Sequence, residues 1–107
     1  MQGRIEIING ELTAKIPYEL MKEGDRVIVY THALDLCGYG ATAEEAKKDF
    51  DNALDIFFKE TREHDTLDKA LEELGWKKII AHKQQIWEPS TQFINASIEE
   101  YKLKKVA

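Results

Sequence analysis

A single cysteine, Cys37, excludes an internal disulfide and suits a reducing compartment. Long apolar runs are missing as well. The longest, "VIVY" and "LDIFF", fall far short of the roughly 20 residues that a helical membrane span needs. The opening "MQGRIEIING" has no apolar core of the kind a secretion leader carries, so a cytoplasmic location is expected. No internal repeat, low-complexity tract or interdomain linker interrupts the chain, so residues 1–107 are expected to form one domain. Positive charge is in deficit, with a formal balance of −5. Residues 42–75 hold five basic and eleven acidic side chains, whereas residues 76–107 hold six and three. Such an acidic surface repels phosphate backbones, which disfavours a stand-alone nucleic-acid binder and favours a basic protein partner.

What is present is a globular composition, 43% apolar and 33% charged. "RIEIINGELTAKI" is the clearest local signal. Asn9-Gly10 tolerates positive φ at both positions of a two-residue turn. That turn pairs Ile8 with Glu11, Ile7 with Leu12 and Ile5 with Ala14. Ile5, Ile7, Leu12 and Ala14 then fall on one face. The second strand is expected to run to about Met21, ahead of the turn signal "KEGD". "RVIVYTH" (26–32) reads as a central strand and "LCGYG" (36–40) as a short one.

Thr42 and Glu45 form a capping box, predicting a helix from there to about Arg62. Its core stripe is Ala43, Ala46, Phe50, Ala53, Leu54 and Phe57. A shorter helix follows over 66–74, with Gly75 as a left-handed cap and Trp76 packing beyond it. "KKIIAHKQQIW" (77–87) reads as one strand and "EPSTQ" as a break. In "FINASIEEYKLKKVA", Ile94, Ala96 and Ile98 alternate in one phase and Tyr101 and Leu103 in the other. That favours strand with a bulge at Glu99-Glu100, although Ser97 with Glu100 also fits a capping box. The expected fold is α+β: an antiparallel sheet of three to four N-terminal strands against one long and one shorter helix, followed by C-terminal strands.

Candidate chemistry is sparse. Gly38-Tyr39-Gly40 lacks the third glycine of a dinucleotide fingerprint and the lysine of a P-loop, so it reads as a joint between strand and helix. Cys37 has no histidine near it in sequence and reads as a buried small hydrophobe. His32 and Asp35 supply two metal ligands where sites need three or four. His64 and His82 read as surface residues. Trp76 and Trp87 interleaved with Lys77, Lys78 and Lys83 are the one stretch similar to a single-strand nucleic-acid platform, with Lys77, Lys78, Lys83 and Trp87 as its contacts. Edge lysines that block aggregation explain the same cations. No catalytic triad, carboxylate pair or metal-ligand spacing stands out. The residues therefore indicate a non-enzymatic domain with no cofactor and no metal.

Residues 12–76 resemble the HicB family of antitoxin domains. The resemblance is carried by "KIPYELMKEGDRVIVYTHALDL", "GYGATAEEAKKDFDNAL" and "TLDKALEELGW", with Gly38, Gly40, Thr42, Glu45 and Ala46 at the family's Gly-x-Thr-x-x-Glu-Ala helix start. It implies an antiparallel three-stranded sheet on a helix, a layout similar to double-stranded-RNA-binding domains. It further implies a partner, a small basic mRNA-cleaving toxin of the HicA type, held inactive by occlusion. Many relatives append a DNA-binding domain, but 77–107 matches neither a helix-turn-helix nor a ribbon-helix-helix, so operator binding is not implied. Glu44, Asp51 and Asp55, on the polar side of the first helix, are the expected partner contacts. A homodimer through a sheet edge is also expected.

Overall fold

The computed structural model describes residues 3–81, 83–90 and 96–103. Among these, seven strands and two helices form an α+β fold. Four strands come first: β1 (Arg4–Ile8), β2 (Glu11–Glu23), β3 (Arg26–Thr31) and β4 (Leu36–Gly40). Then come α1 (Ala43–Glu63), α2 (Leu67–Glu73), β5 (Trp76–Ala81), β6 (Gln84–Pro89) and β7 (Ser97–Leu103). The spatial order is β4-β3-β2-β1-β6-β5, with β7 added on β2, and every pair is antiparallel.

β2 organises the sheet. Its first half is paired on both edges, by β1 over Glu11–Lys15 and by β7 over Leu12–Tyr18, and its second half continues with β3 over Glu19–Glu23. The Asn-Gly turn forms as expected, with Asn9 at φ 53° and Gly10 at φ 81°. It sets the anticipated register, Ile8↔Glu11, Ile7↔Leu12 and Ile5↔Ala14. Ile5, Leu12 and Ala14 are fully buried, so hydrophobic pattern and turn geometry select the same pairing.

The helices cover one face of this sheet. α1 lies on β3, β4 and β7, and α2 lies against β5. Ala46, Phe50, Leu54 and Phe58 of α1 have no exposed surface. The stripe therefore follows the i, i+4 ridge. Ala43 is exposed, and Phe57 stands at the margin, edge-on to Phe58 at 5.1 Å. Gly75 adopts the left-handed cap (φ 91°) that ends α2. Beyond it Trp76 is buried, and its Nε1–H donates to the carbonyl of Ala33 at 2.7 Å, tying β5 to the loop between β3 and β4.

Three expectations are corrected. Residues 77–87 are not one strand but the hairpin β5–β6, in which Ala81 pairs with Gln84. The turn carries Lys83 at φ 67°, a conformation lysine rarely adopts, so no Gly or Asn marks it. The bulge at Glu99-Glu100 is also absent. Pairing with β2 is unbroken from Leu12↔Leu103 to Tyr18↔Ser97. Tyr101 and Leu103 share their phase with Glu99, so a carboxylate, not Ile98, continues the helix-facing row. Ser97 correspondingly opens a strand rather than capping a helix. The strand count exceeds the three of the double-stranded-RNA-binding layout, because β1, β5, β6 and β7 extend the sheet. Ile94 lies outside the described residues.

Candidate functional site

The glycine joint is built to bring β4 and α1 together. A Cβ on Gly38 would stand 2.3 Å from the backbone nitrogen of Phe50 and 2.5 Å from the carbonyl oxygen of Ala46. One on Gly40 would stand 2.5 Å from the nitrogen of Ala46. The helix start is already supplied with acceptors. Thr42 Oγ1 accepts from the Glu45 N–H at 3.2 Å, and Glu45 Oε2 accepts from Ala41 N–H at 3.0 Å, one residue ahead of the usual capping-box donor. Asp49 Oδ2 accepts from Tyr39 N–H at 2.9 Å. Two carboxylates thus occupy donors that a phosphate would need, and their charge repels it.

Of the three acids on α1, Glu44 in the first turn and Asp51 further along are exposed, and Asp55 is half-buried. Asp55 belongs to the seam between α1 and β7. It accepts from Tyr101 Oη–H at 2.8 Å and pairs with Lys59 at 2.9 Å. These two bonds, the lysine's first, hold its carboxyl below the ordinary range. Tyr101 in turn stacks on Phe58 at 5.0 Å, and burial beside Asp55 pushes its phenol up. Asp51 faces Glu99 on β7, whose carboxyl is pushed up by burial and then by the neighbouring Asp51, against an opposing pull from Lys47 at 3.8 Å.

Glu99 yields a sign that can be measured. Its raised pKa means that the folded chain holds the proton more tightly than the unfolded one. The stabilising term is complete below the ordinary value of 4.5 and is lost as pH rises through the raised value. Glu99→Gln should therefore raise the urea midpoint at pH 7, and the difference should close below pH 4.5. A lower midpoint at pH 7 would mean that the Lys47 pair dominates.

The nucleic-acid platform does not assemble. Trp87 has no exposed surface, lies opposite Ile5 and Lys78, and offers no face on which a base could stack. Lys78 is held by Asp68 at 2.8 Å, with its Nζ 5.6 Å above the Trp87 ring. Lys77 faces Glu88 across the hairpin, and Lys83 is exposed in the turn. The tryptophans are core residues, so the cations have no aromatic partners at the surface. His82 lies outside the described residues.

Cys37 is half-buried, with its sulfur 3.5 Å from the Tyr39 hydroxyl, which donates to it. Asp35, at φ 53°, accepts from Tyr30 Oη–H at 3.1 Å. His64 is the exposed C-cap of α1. Among the described residues, no group of three or more His, Cys, Asp and Glu is placed to hold a metal ion.

Among the described residues, nothing covers the side of β2–β3–β4 opposite α1. Across it run Met21↔Ile28↔Tyr39, and beside them Glu23↔Arg26 and Glu19↔Tyr30↔Cys37. Met21 is 42% exposed and Tyr39 44%. The Arg26 guanidinium lies 4.7 Å above the Tyr39 ring. The corresponding side of β1, β2 and β7 is instead a lattice of charges, with Arg4 paired to Glu6 at 2.8 Å and Lys102 to Glu100 at 3.4 Å. Met21 standing among charges past the last buried position of β2 is the signal that could have exposed the patch. Its neighbours become apparent only from the strand pairing.

No family model, no curated protein and no solved structure matches the chain.

Proposed function

We propose that this chain is a HicB-like antitoxin-type module that binds a small basic mRNA-cleaving protein and blocks it by occlusion, without catalysis of its own. The observation that carries the reading is the net charge of −5, concentrated in residues 42–75 with five basic against eleven acidic side chains, because the field of the whole chain draws in a basic protein whichever face it finally contacts. The packed Gly38–Gly40 joint and the β2–β3–β4–α1 succession support it as the layout that the resemblance implies. Burial of Trp87 weighs for this reading over the nucleic-acid alternative, which counted that ring among its contacts.

Self-association belongs to the same reading, and β5 is the edge that suits it. β4, at the opposite end of the strand order, has its Tyr39 N–H taken by Asp49, whereas β5 leaves Ile79 46% and Ile80 70% exposed.

The test is co-expression of the full chain with the product of any short basic reading frame bordering its gene, followed by an RNA-cleavage assay. Cleavage by the basic product should stop at stoichiometric addition of the chain. Cleavage that proceeds unchanged, or a basic product that does not bind at low salt, would sink the reading.

A further inference from the structure

We infer that the open face of β2–β3–β4 is where a basic protein partner docks, with Met21, Ile28 and Tyr39 as the apolar centre and Glu19 and Glu23 as the acidic rim. The inference rests on the reading above that the chain binds such a protein, and it moves the contact surface from α1 to the opposite side of the sheet.

Three observations converge. First, the patch is out of character with its surroundings. An open antiparallel face is normally polar, and the neighbouring face obeys this with mutually paired charges, whereas Met21 and Tyr39 expose 42% and 44% of their surface side by side across Ile28. Second, the patch is organised in advance. Arg26 lies over the Tyr39 ring, and Asp49 holds the Tyr39 backbone, so little freedom is lost when a partner settles there. A central aromatic with a polar rim is the usual arrangement of an interface that binds tightly.

Third, charge selects the occupant. Glu19 and Glu23 lie on this face, and Asp35 lies at its end, hydrogen-bonded to Tyr30; Arg26 is the cation set against them, and it is engaged by the Tyr39 ring. A negative face meets a positive one. It repels nucleic acid, and a second copy docked face to face would bring the same acids together. The acids that the sequence placed on the rival surface are partly spent: Asp55 is bonded to Tyr101 and Lys59.

The probe is the product of any short basic reading frame bordering the gene, titrated calorimetrically into the full chain and two double variants, and the lack of any such frame counts against the reading and the docking face alike. Met21→Lys/Tyr39→Ala changes the sheet face, and Glu44→Lys/Asp51→Lys changes the helix. The sheet variant should weaken binding at least tenfold, and the helix variant should stay within about twofold of the unmodified chain. Glu19→Lys alone, at an exposed position, should weaken binding in the same direction and guards against a folding defect in the double variant. Loss of binding in the helix variant with retention in both sheet variants would overturn this assignment and leave the antitoxin-type reading standing. No binding by the unmodified chain at low salt would overturn that reading and the docking face together.

Discussion

Gly38→Ala is expected to cost about 3 kcal/mol of folding stability, a large part of what a domain of this size possesses. The reason is space. Gly38 is not among the glycines with positive φ, so alanine can adopt its backbone conformation. The added methyl would meet the nitrogen and Cα of Phe50 at 2.3 and 2.7 Å and the carbonyl oxygen of Ala46 at 2.5 Å. All three are main-chain atoms of a helix, which cannot swing aside as a side-chain tip can. α1 would have to lift from β4, loosening Phe50 from Tyr18, whose rings lie 5.9 Å apart. The measurement is a urea titration of both proteins. A midpoint within the error of the unmodified chain would show that helix and strand do not approach this closely.

Trp87→Ala should be comparably damaging, at about 4 kcal/mol, because it empties one of the largest fully buried side chains in the protein. Trp87→Phe should cost only about 1 kcal/mol or less. The indole Nε1–H is buried without a hydrogen-bond partner among the described residues, and its removal relieves a penalty that offsets much of the lost packing. The pair of variants separates two roles for the residue. A base-stacking tryptophan would leave the urea midpoint nearly unchanged when truncated, and phenylalanine would keep most of its RNA affinity. A core tryptophan gives a large shift for alanine and a small one for phenylalanine, with equal m-values.

The parts legible in the sequence were those fixed by local chemistry. Asn9-Gly10 dictates a turn whose register then agrees with four apolar positions, and Thr42 with Glu45 starts a helix wherever it ends. The parts that escaped depend on which strand lies beside which. Lys83 enters the left-handed region because β5 and β6 pair across it, and nothing in its own chemistry announces that. Trp87 with its lysines looks like a platform until Ile5 and Lys78 are seen on either side of it. The Met21–Ile28–Tyr39 row likewise draws on three strands, so no window of consecutive residues contains it. On α1, Asp55 looked solvent-facing because the periodicity of one helix cannot reveal that β7 arrives beside it.

The double pairing of β2 has a kinetic consequence. Leu12–Lys15 bond to β1 almost at once along the chain, but their other edge waits for Glu100–Leu103, the last described strand. During synthesis the sheet therefore presents an unsatisfied central strand until β7 has emerged, a period in which neighbouring chains can pair there instead. Contacts of such long sequence separation slow folding, so β7 closes the fold late. The seam of Tyr101, Asp55, Lys47 and Glu99 then acts as the latch on a strand that arrives last.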